Sequence, residues 1–139
     1  MIVVDRIRIK GFRSIQTLQM PLGRSSVLLG TNNSGKSTVL KALELALSDE
    51  MAVSQEDFHV DESGCFAREL CVDIRFVPIN DQSQRLSLFS EQWQKVFSGV
   101  VRRDQYRREY VAFRTVFRRM EAVSYKHLRA HETRSNLVC

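Results

Sequence analysis

Gly30-Thr31-Asn32-Asn33-Ser34-Gly35-Lys36-Ser37-Thr38 satisfies the spacing Gly-x-x-x-x-Gly-Lys-Ser in full, and its reading decides how the rest of the chain is organised. Glycines at both ends let a loop take conformations barred to side chains, so that successive backbone N–H groups turn inward on phosphate oxygens. In that arrangement Lys36 reaches the β- and γ-phosphates and the Ser37 hydroxyl ligates magnesium. A helix beginning behind the loop presents its positive end to the same oxygens.

The flanks supply the strand–loop–helix context this loop needs. Upstream, the compact apolar run Val27-Leu28-Leu29 has no polar face and predicts a buried central strand. Downstream, Val39, Leu40, Leu43, Ala46 and Leu47 fall on one face of a predicted helix, with Ser48-Asp49 as its stop. Further upstream, residues 3–10 alternate, with Val4, Arg6, Arg8 and Lys10 on one side and Val3, Asp5, Ile7 and Ile9 on the other. This is the pattern of a half-solvated strand. Gly11-Phe12-Arg13-Ser14 breaks it, and a second extended run over 15–20 leads into a turn at Pro21.

Charge is unevenly placed along the chain, whose formal total is +5. Between Glu44 and Asp73 nine carboxylates face the single base Arg68, and their scatter reads as a solvated surface rather than a metal site. His59 reads as a structural or surface residue. Residues 70–76 alternate as a strand, with Leu70, Val72, Ile74 and Phe76 on one face and Pro78 as the stop. From Lys95 to Arg119 eight bases oppose two acids. Tyr106, Tyr110, Phe113, Phe117 and Met120 recur there at spacings of three and four, which predicts a basic helix over 100–121. Its arginines read equally as a phosphate-binding face for DNA and as a solvated face.

At 139 residues, 43% hydrophobic and 27% charged, the chain has the composition of one ordinary globular domain. It has no apolar run long enough for a bilayer helix and no signal-peptide core, so a cytoplasmic location without membrane contact is expected. Cys65, Cys71 and Cys139 form no Cys-x-x-Cys pair and read as reduced thiols. Residues 122–133, Ala-Val-Ser-Tyr-Lys-His-Leu-Arg-Ala-His-Glu-Thr, followed by Leu137-Val-Cys139, resemble a translated sequencing adapter, departing at Lys126, where threonine is expected. The expected division is therefore 1–121 as the N-terminal part of a longer protein and 122–139 as a non-native tail. That reading removes His127, His131 and Cys139 as a metal-site candidate.

Two stretches carry a family resemblance: Ile7-Arg-Ile-Lys-Gly-Phe-Arg-Ser14, and Leu28-Leu29-Gly30 running through the loop to Thr38-Val-Leu-Lys-Ala-Leu43. They resemble the N-terminal ABC-type ATPase domain of DNA-maintenance proteins. That group includes the structural-maintenance-of-chromosomes (SMC) proteins, the recombination-mediator ATPases and the overcoming-lysogenization-defect (OLD) nucleases. Ser54-Gln-Glu-Asp-Phe-His59, leading into the strand 70–76, most resembles the OLD type.

The resemblance implies an α/β fold: a truncated ABC-type P-loop domain with a mixed sheet, an N-terminal strand pair, a Walker A helix and the basic C-terminal helix. It implies ATP and Mg2+ as cofactors, a homodimer in the parent protein, DNA as the parent's partner and, for OLD members, a C-terminal Toprim nuclease. By motif, Gly30, Thr31, Asn32, Asn33, Ser34 and Gly35 would wrap the phosphates, Lys36 would be the catalytic contact to the β/γ-phosphates, Ser37 would hold magnesium and Thr38 would lie beside the α-phosphate. Arg13 occupies a position near the nucleotide in related ATPases. A Walker B Asp-Glu, a Ser-Gly-Gly-like signature and Toprim carboxylates are missing from this sequence, so the parent is expected to be an ATPase and this chain not. The alternatives are a DNA-clamping ATPase of the chromosome-maintenance or recombination type, and a structural module that binds no nucleotide. Marginal folding is expected, because apolar helix positions would lack later strands to cover them.

Overall fold

The computed structural model describes residues 1–32, 34–48, 52–119 and, for the backbone alone, 125–130. Two long strands open the chain, β1 (Ile2–Phe12) and β2 (Ile15–Pro21), as their alternation requires. They pair antiparallel around the Arg13-Ser14 turn, with Phe12 opposite Ile15 and Ile7 opposite Met20. β1 pairs on its other edge with β3 (Glu69–Pro78), which in turn pairs with β5 (Glu109–Arg119). A two-residue β4 (Arg102–Arg103) and β6 (Tyr125–Ala130) both join β5, giving the order β2-β1-β3-β5-β4 with β6 also against β5. The sheet expected to be mixed pairs antiparallel at every described junction.

The helix α1 (Lys36–Leu47) lies across one face of this sheet. Its buried side is Thr38, Val39, Ala42, Leu45 and Ala46, packed on Ile7, Ile9, Leu70, Val72, Ile74 and Phe117. Each fully buried Leu or Ile here contributes about 1.5–3 kcal/mol. The predicted face was rotated: Leu45 belongs to the core, while Leu40 and Leu47 are exposed. The helix carries apolar residues on two sides, and the sheet takes the side with the smaller residues, where the backbone approaches closely.

Two expected elements do not form. Val27-Leu28-Leu29 is irregular, and Val27 and Leu29 are 80% and 88% exposed. A buried strand needs neighbours on both edges, and among the described residues this segment has none. The basic helix over 100–121 is instead β4, a turn and β5. Tyr110, Val111, Phe113, Thr115, Val116 and Phe117 are β-branched or aromatic, and their preference for a pleated surface prevails over the three-and-four spacing of the aromatics. Cross-strand pairing explains the arginines: Arg114 donates to both oxygens of the buried Asp73 at 2.7 and 3.1 Å, and Arg118 meets Glu69 at 3.1 Å. Met120, Glu121 and the stretch 131–139, with His131 and Cys139, lie outside the described residues.

A short helix α2 (Glu91–Val96), which the sequence reading did not anticipate, caps the far end of the sheet. Its Trp93 stacks on Phe97, which also meets Phe89, Phe76 and Phe113. Glu109 is buried beneath it and accepts from the backbone N–H of Phe89 at 2.9 Å.

Cys65 and Cys71 are free thiols, the first exposed and the second buried on β3. Burial, and then the charge of Asp73, push the Cys71 thiol up to about 12. At pH 8 its thiolate fraction is then about one in ten thousand. Site-resolved mass spectrometry after iodoacetamide treatment of the folded chain at pH 8 is expected to find Cys65 alkylated and Cys71 unmodified until denaturant is added.

Candidate functional site

The end of β1 and the turn into β2 carry two left-handed residues, Gly11 at φ 66° in the strand and Arg13 at φ 50° in the turn. At Gly11 only glycine fits, since a Cβ there would stand 2.5 Å from the carbonyl oxygen of Glu69. Arg13 has no such exemption, and holding a side-chain residue in this region costs about 1–2 kcal/mol.

The segment Asp57-Phe58-His59 offsets that cost. Arg13 N–H donates to the Asp57 carbonyl at 2.8 Å, Arg13 Nε meets Asp57 Oδ1 at 2.8 Å, and the His59 ring Nδ1 lies 2.7 Å from the Arg13 carbonyl oxygen. His59 N–H donates to the Gly11 carbonyl at 2.9 Å. Between these polar contacts Phe12 and Phe58 form a β-bridge, both buried in the main core. Asp57 also closes a short 3-10 turn (Gln55–Asp57), accepting from Ser54 N–H at 2.9 Å. His59 thus has the structural place read for it, and the acidic segment is more than a solvated surface.

The glycine-rich loop faces this turn. Arg13, Ser14, Asn32, Ser34, Gly35, Lys36, Ser37 and Thr38 line one cavity of about 570 Å3. Gly35, at φ 91°, turns the loop into α1 and is its N-terminal cap residue, and no side chain caps the helix. Its first turn carries no acidic residue either. The N–H groups that a cap would have satisfied, together with the positive helix end, therefore remain available to an anion.

Lys36 Nζ folds back over its own loop, donating to the Gly30 carbonyl, to the Thr31 carbonyl at 2.7 Å and to Ser34 Oγ at 3.3 Å. A Cβ at Gly30 would stand 2.6 Å from Ser34 Oγ, so any larger residue there would have to turn that hydroxyl aside. Ser37 is exposed at the mouth, whereas Thr38 is buried toward the sheet. Asn33 lies outside the described residues. The donors fit a polyphosphate with its magnesium ion: a cationic Nζ parked on neutral carbonyls, free helix N–H groups and a hydroxyl at the rim. Among the described residues no cluster of three His, Cys, Asp or Glu side chains that could hold a metal ion occurs.

A family model described as "Protein of unknown function (DUF2813)" matches residues 1–130. The chain belongs to the DUF2813 family. The match runs past the boundary expected at residue 121 and includes β6. An OLD nuclease of Thermus scotoductus is 36% identical over 47 residues, covering 34% of this chain and 9% of that protein. Structural maintenance of chromosomes protein 3 of Caenorhabditis elegans is 32% identical over 111 residues, 74% of this chain and 9% of that protein. The DUF2813 chain thus spans about a tenth of the length of these relatives. A solved structure from work on the ATP-driven dimerization and DNA-stimulated activation of SMC ATPases superposes over 91% of this chain and 71% of its own, at a TM-score of 0.51 and 20% identity. The antiparallel sheet with few helices therefore resembles the fold of an SMC ATPase domain.

Asp57→Ala removes both the Ser54 cap and the ion pair to Arg13. Arg13 is 41% exposed, so the pair itself adds little, and most of the loss comes from the cap and the released turn. Urea unfolding is expected to show a loss of about 1–2 kcal/mol.

Proposed function

We propose that this chain is the ATP-binding front portion of an OLD-like, ATP-dependent DNA endonuclease, in which ATP hydrolysis regulates cleavage by a Toprim domain outside this sequence. The observation that carries the reading is the uncapped start of α1, with Lys36 Nζ poised over the loop and Arg13 in the same cavity. In this reading Lys36 exchanges its carbonyl partners for β- and γ-phosphate oxygens. Gly30, Thr31, Asn32, Asn33, Ser34 and Gly35 wrap the phosphates, and the N–H groups opening α1 hold them in register. Thr38 stands beside the α-phosphate, and Arg13, fixed by Asp57, faces the nucleotide. Ser37 ligates Mg2+, which when bound neutralises phosphate charge. The chain binds ATP and does not turn it over, since the groups that orient water lie elsewhere in the parent. The parent works on DNA, as a homodimer, in the cytoplasm; among the described residues no helix is long and apolar enough to cross a membrane. Residues 122–139 remain, in this proposal, outside the native sequence.

The second reading is an ATPase of the chromosome-maintenance or recombination type that clamps DNA without cutting. It is favoured by the longer stretch shared with the SMC protein and by the shared fold. Sequence downstream of this region in the parent separates the two, through Toprim carboxylates in one case and a long heptad region in the other.

Titration with a fluorescent ATP analogue and Mg2+ tests the nucleotide reading. Lys36→Ala is expected to weaken binding at least tenfold, and Ser37→Ala to remove most of the Mg2+ dependence while keeping weak metal-free binding. No binding by the wild-type chain would leave only the structural-module alternative, and equal binding by the wild-type and Lys36→Ala chains would put the nucleotide somewhere other than the glycine-rich loop.

A further inference from the structure

Another cavity, of about 690 Å3, opens on the face of the sheet turned away from α1, beneath the segment 59–67. Its floor is Arg8 and Lys10 of β1, with Gln16 and Thr17 of β2 to one side and Cys71 and Arg114 to the other. Alternation dictates this floor. Because Ile7 and Ile9 turn into the core under α1, Arg8 and Lys10 stand together on the opposite face, about 7 Å apart along the strand.

Most of the charge on this face is matched. Asp5 takes Arg75 Nε at 2.8 Å and Arg75 Nη2 on its other oxygen, Asp73 takes Arg114 at 2.7 and 3.1 Å, and Glu69 takes Arg118 at 3.1 Å. Asp61, in the cavity wall, spends its carboxylate on its own turn, accepting from the N–H groups of Ser63 and Cys65 at 2.9 Å and from the Ser63 hydroxyl at 2.6 Å. Arg8 and Lys10 are the exception: the first is half-buried and the second exposed, and neither has an ion pair or side-chain hydrogen bond among the described residues. Arg8 stands opposite Asp73 in the strand register, but both oxygens of that carboxylate are already held by Arg114. The two cations are therefore open to an outside anion.

Their arrangement selects the anion. A compact ion is gripped by donors that converge on one point, whereas these two charges stand in a row along an extended strand with the neutral donors Gln16 and Thr17 beside them. An acidic peptide would need apolar anchors as well as charge. None of the exposed large apolar residues lines the cavity, and Phe66 in its wall has Arg119 over its ring at 5.1 Å.

We infer that β1 presents a track for a nucleic-acid backbone, in which Arg8 and Lys10 each contact a phosphate and Gln16 and Thr17 donate alongside. The track rests on the reading that the parent works on DNA, and it puts that DNA on the opposite face of the sheet from α1. Contacts of this kind hold the backbone without reading its bases.

A short labelled DNA duplex titrated with the full chain by fluorescence anisotropy, between about 50 and 200 mM salt, tests the track. Arg8→Gln combined with Lys10→Gln is expected to weaken binding about tenfold at the lower salt and to flatten the slope of log affinity against log salt by about 2, one for each lost phosphate contact. Lys10→Gln alone, at an exposed position, is expected to flatten the slope by about 1 and serves if the double variant does not fold. Lys41→Gln combined with Lys95→Gln removes the same charge from the two helices and is expected to change neither quantity. Absence of duplex binding by the wild-type chain, or an unchanged slope in the folded β1 variants, overturns the track. Polyglutamate displacing the duplex at equal charge overturns the nucleic-acid assignment in favour of an acidic protein partner. Titration of the same variants with the fluorescent ATP analogue keeps the two readings apart, since nucleotide binding is expected to survive the β1 substitutions whether or not the track does.

Discussion

The contact on which the site depends is the clamp of Asp57-Phe58-His59 on the β1–β2 turn. A left-handed arginine between two long strands is unfavourable alone, and three hydrogen bonds to residues more than forty positions later hold it there. The consequence reaches the glycine-rich loop, because Ser14 Oγ lies 3.8 Å from where a Cβ on Gly35 would stand. The turn and the start of α1 are therefore neighbours, and Arg13 lines the same cavity as Lys36.

The sheet behind this turn carries, on its face away from α1, charge pairs beside a smaller apolar cluster of Val77, Ile79, Tyr110 and Ala112. Asp5 with Arg75 and Asp73 with Arg114 are bidentate pairs reaching between neighbouring strands. A pair of this kind gains its energy from geometry and partial burial, and breaking one partner is expensive because a charge is left unmatched. The α1 face is apolar, closed by Ile7, Ile9, Leu70 and Val72 against Ala42 and Leu45. One sheet thus separates a hydrophobic layer carrying the candidate nucleotide loop from a charged face along which basic residues accumulate.

Much of this was legible in the sequence. Alternation over residues 3–10 and 70–76 marked both strands with nearly the expected bounds, but a bulge between Val4 and Arg6 interrupts the first and puts Val4, rather than Val3, on the face of Ile7 and Ile9. The start of α1 followed from Gly35 and the apolar spacing behind it. The basic segment misled because β5 is buried on both faces, so its apolar residues lose the period of two that marks a strand. Val27-Leu28-Leu29 misled because apolar character predicts burial only when another element is there to cover it. The clamp was visible only in halves: Gly-Phe-Arg-Ser and Asp-Phe-His each stood out, but no local pattern pairs Arg13 with Asp57 across 44 positions.

The central claim is that the glycine-rich loop and the clamped turn form one nucleotide site. Amide hydrogen exchange with and without ATP and Mg2+ tests it most directly. The account predicts that slowed exchange appears together at residues 34–38, at 11–14 and at 57–59, because ligand at the loop tightens the neighbouring turn and the clamp that holds it. Protection absent from 34–38, or present there with 11–14 and 57–59 unchanged, would contradict it.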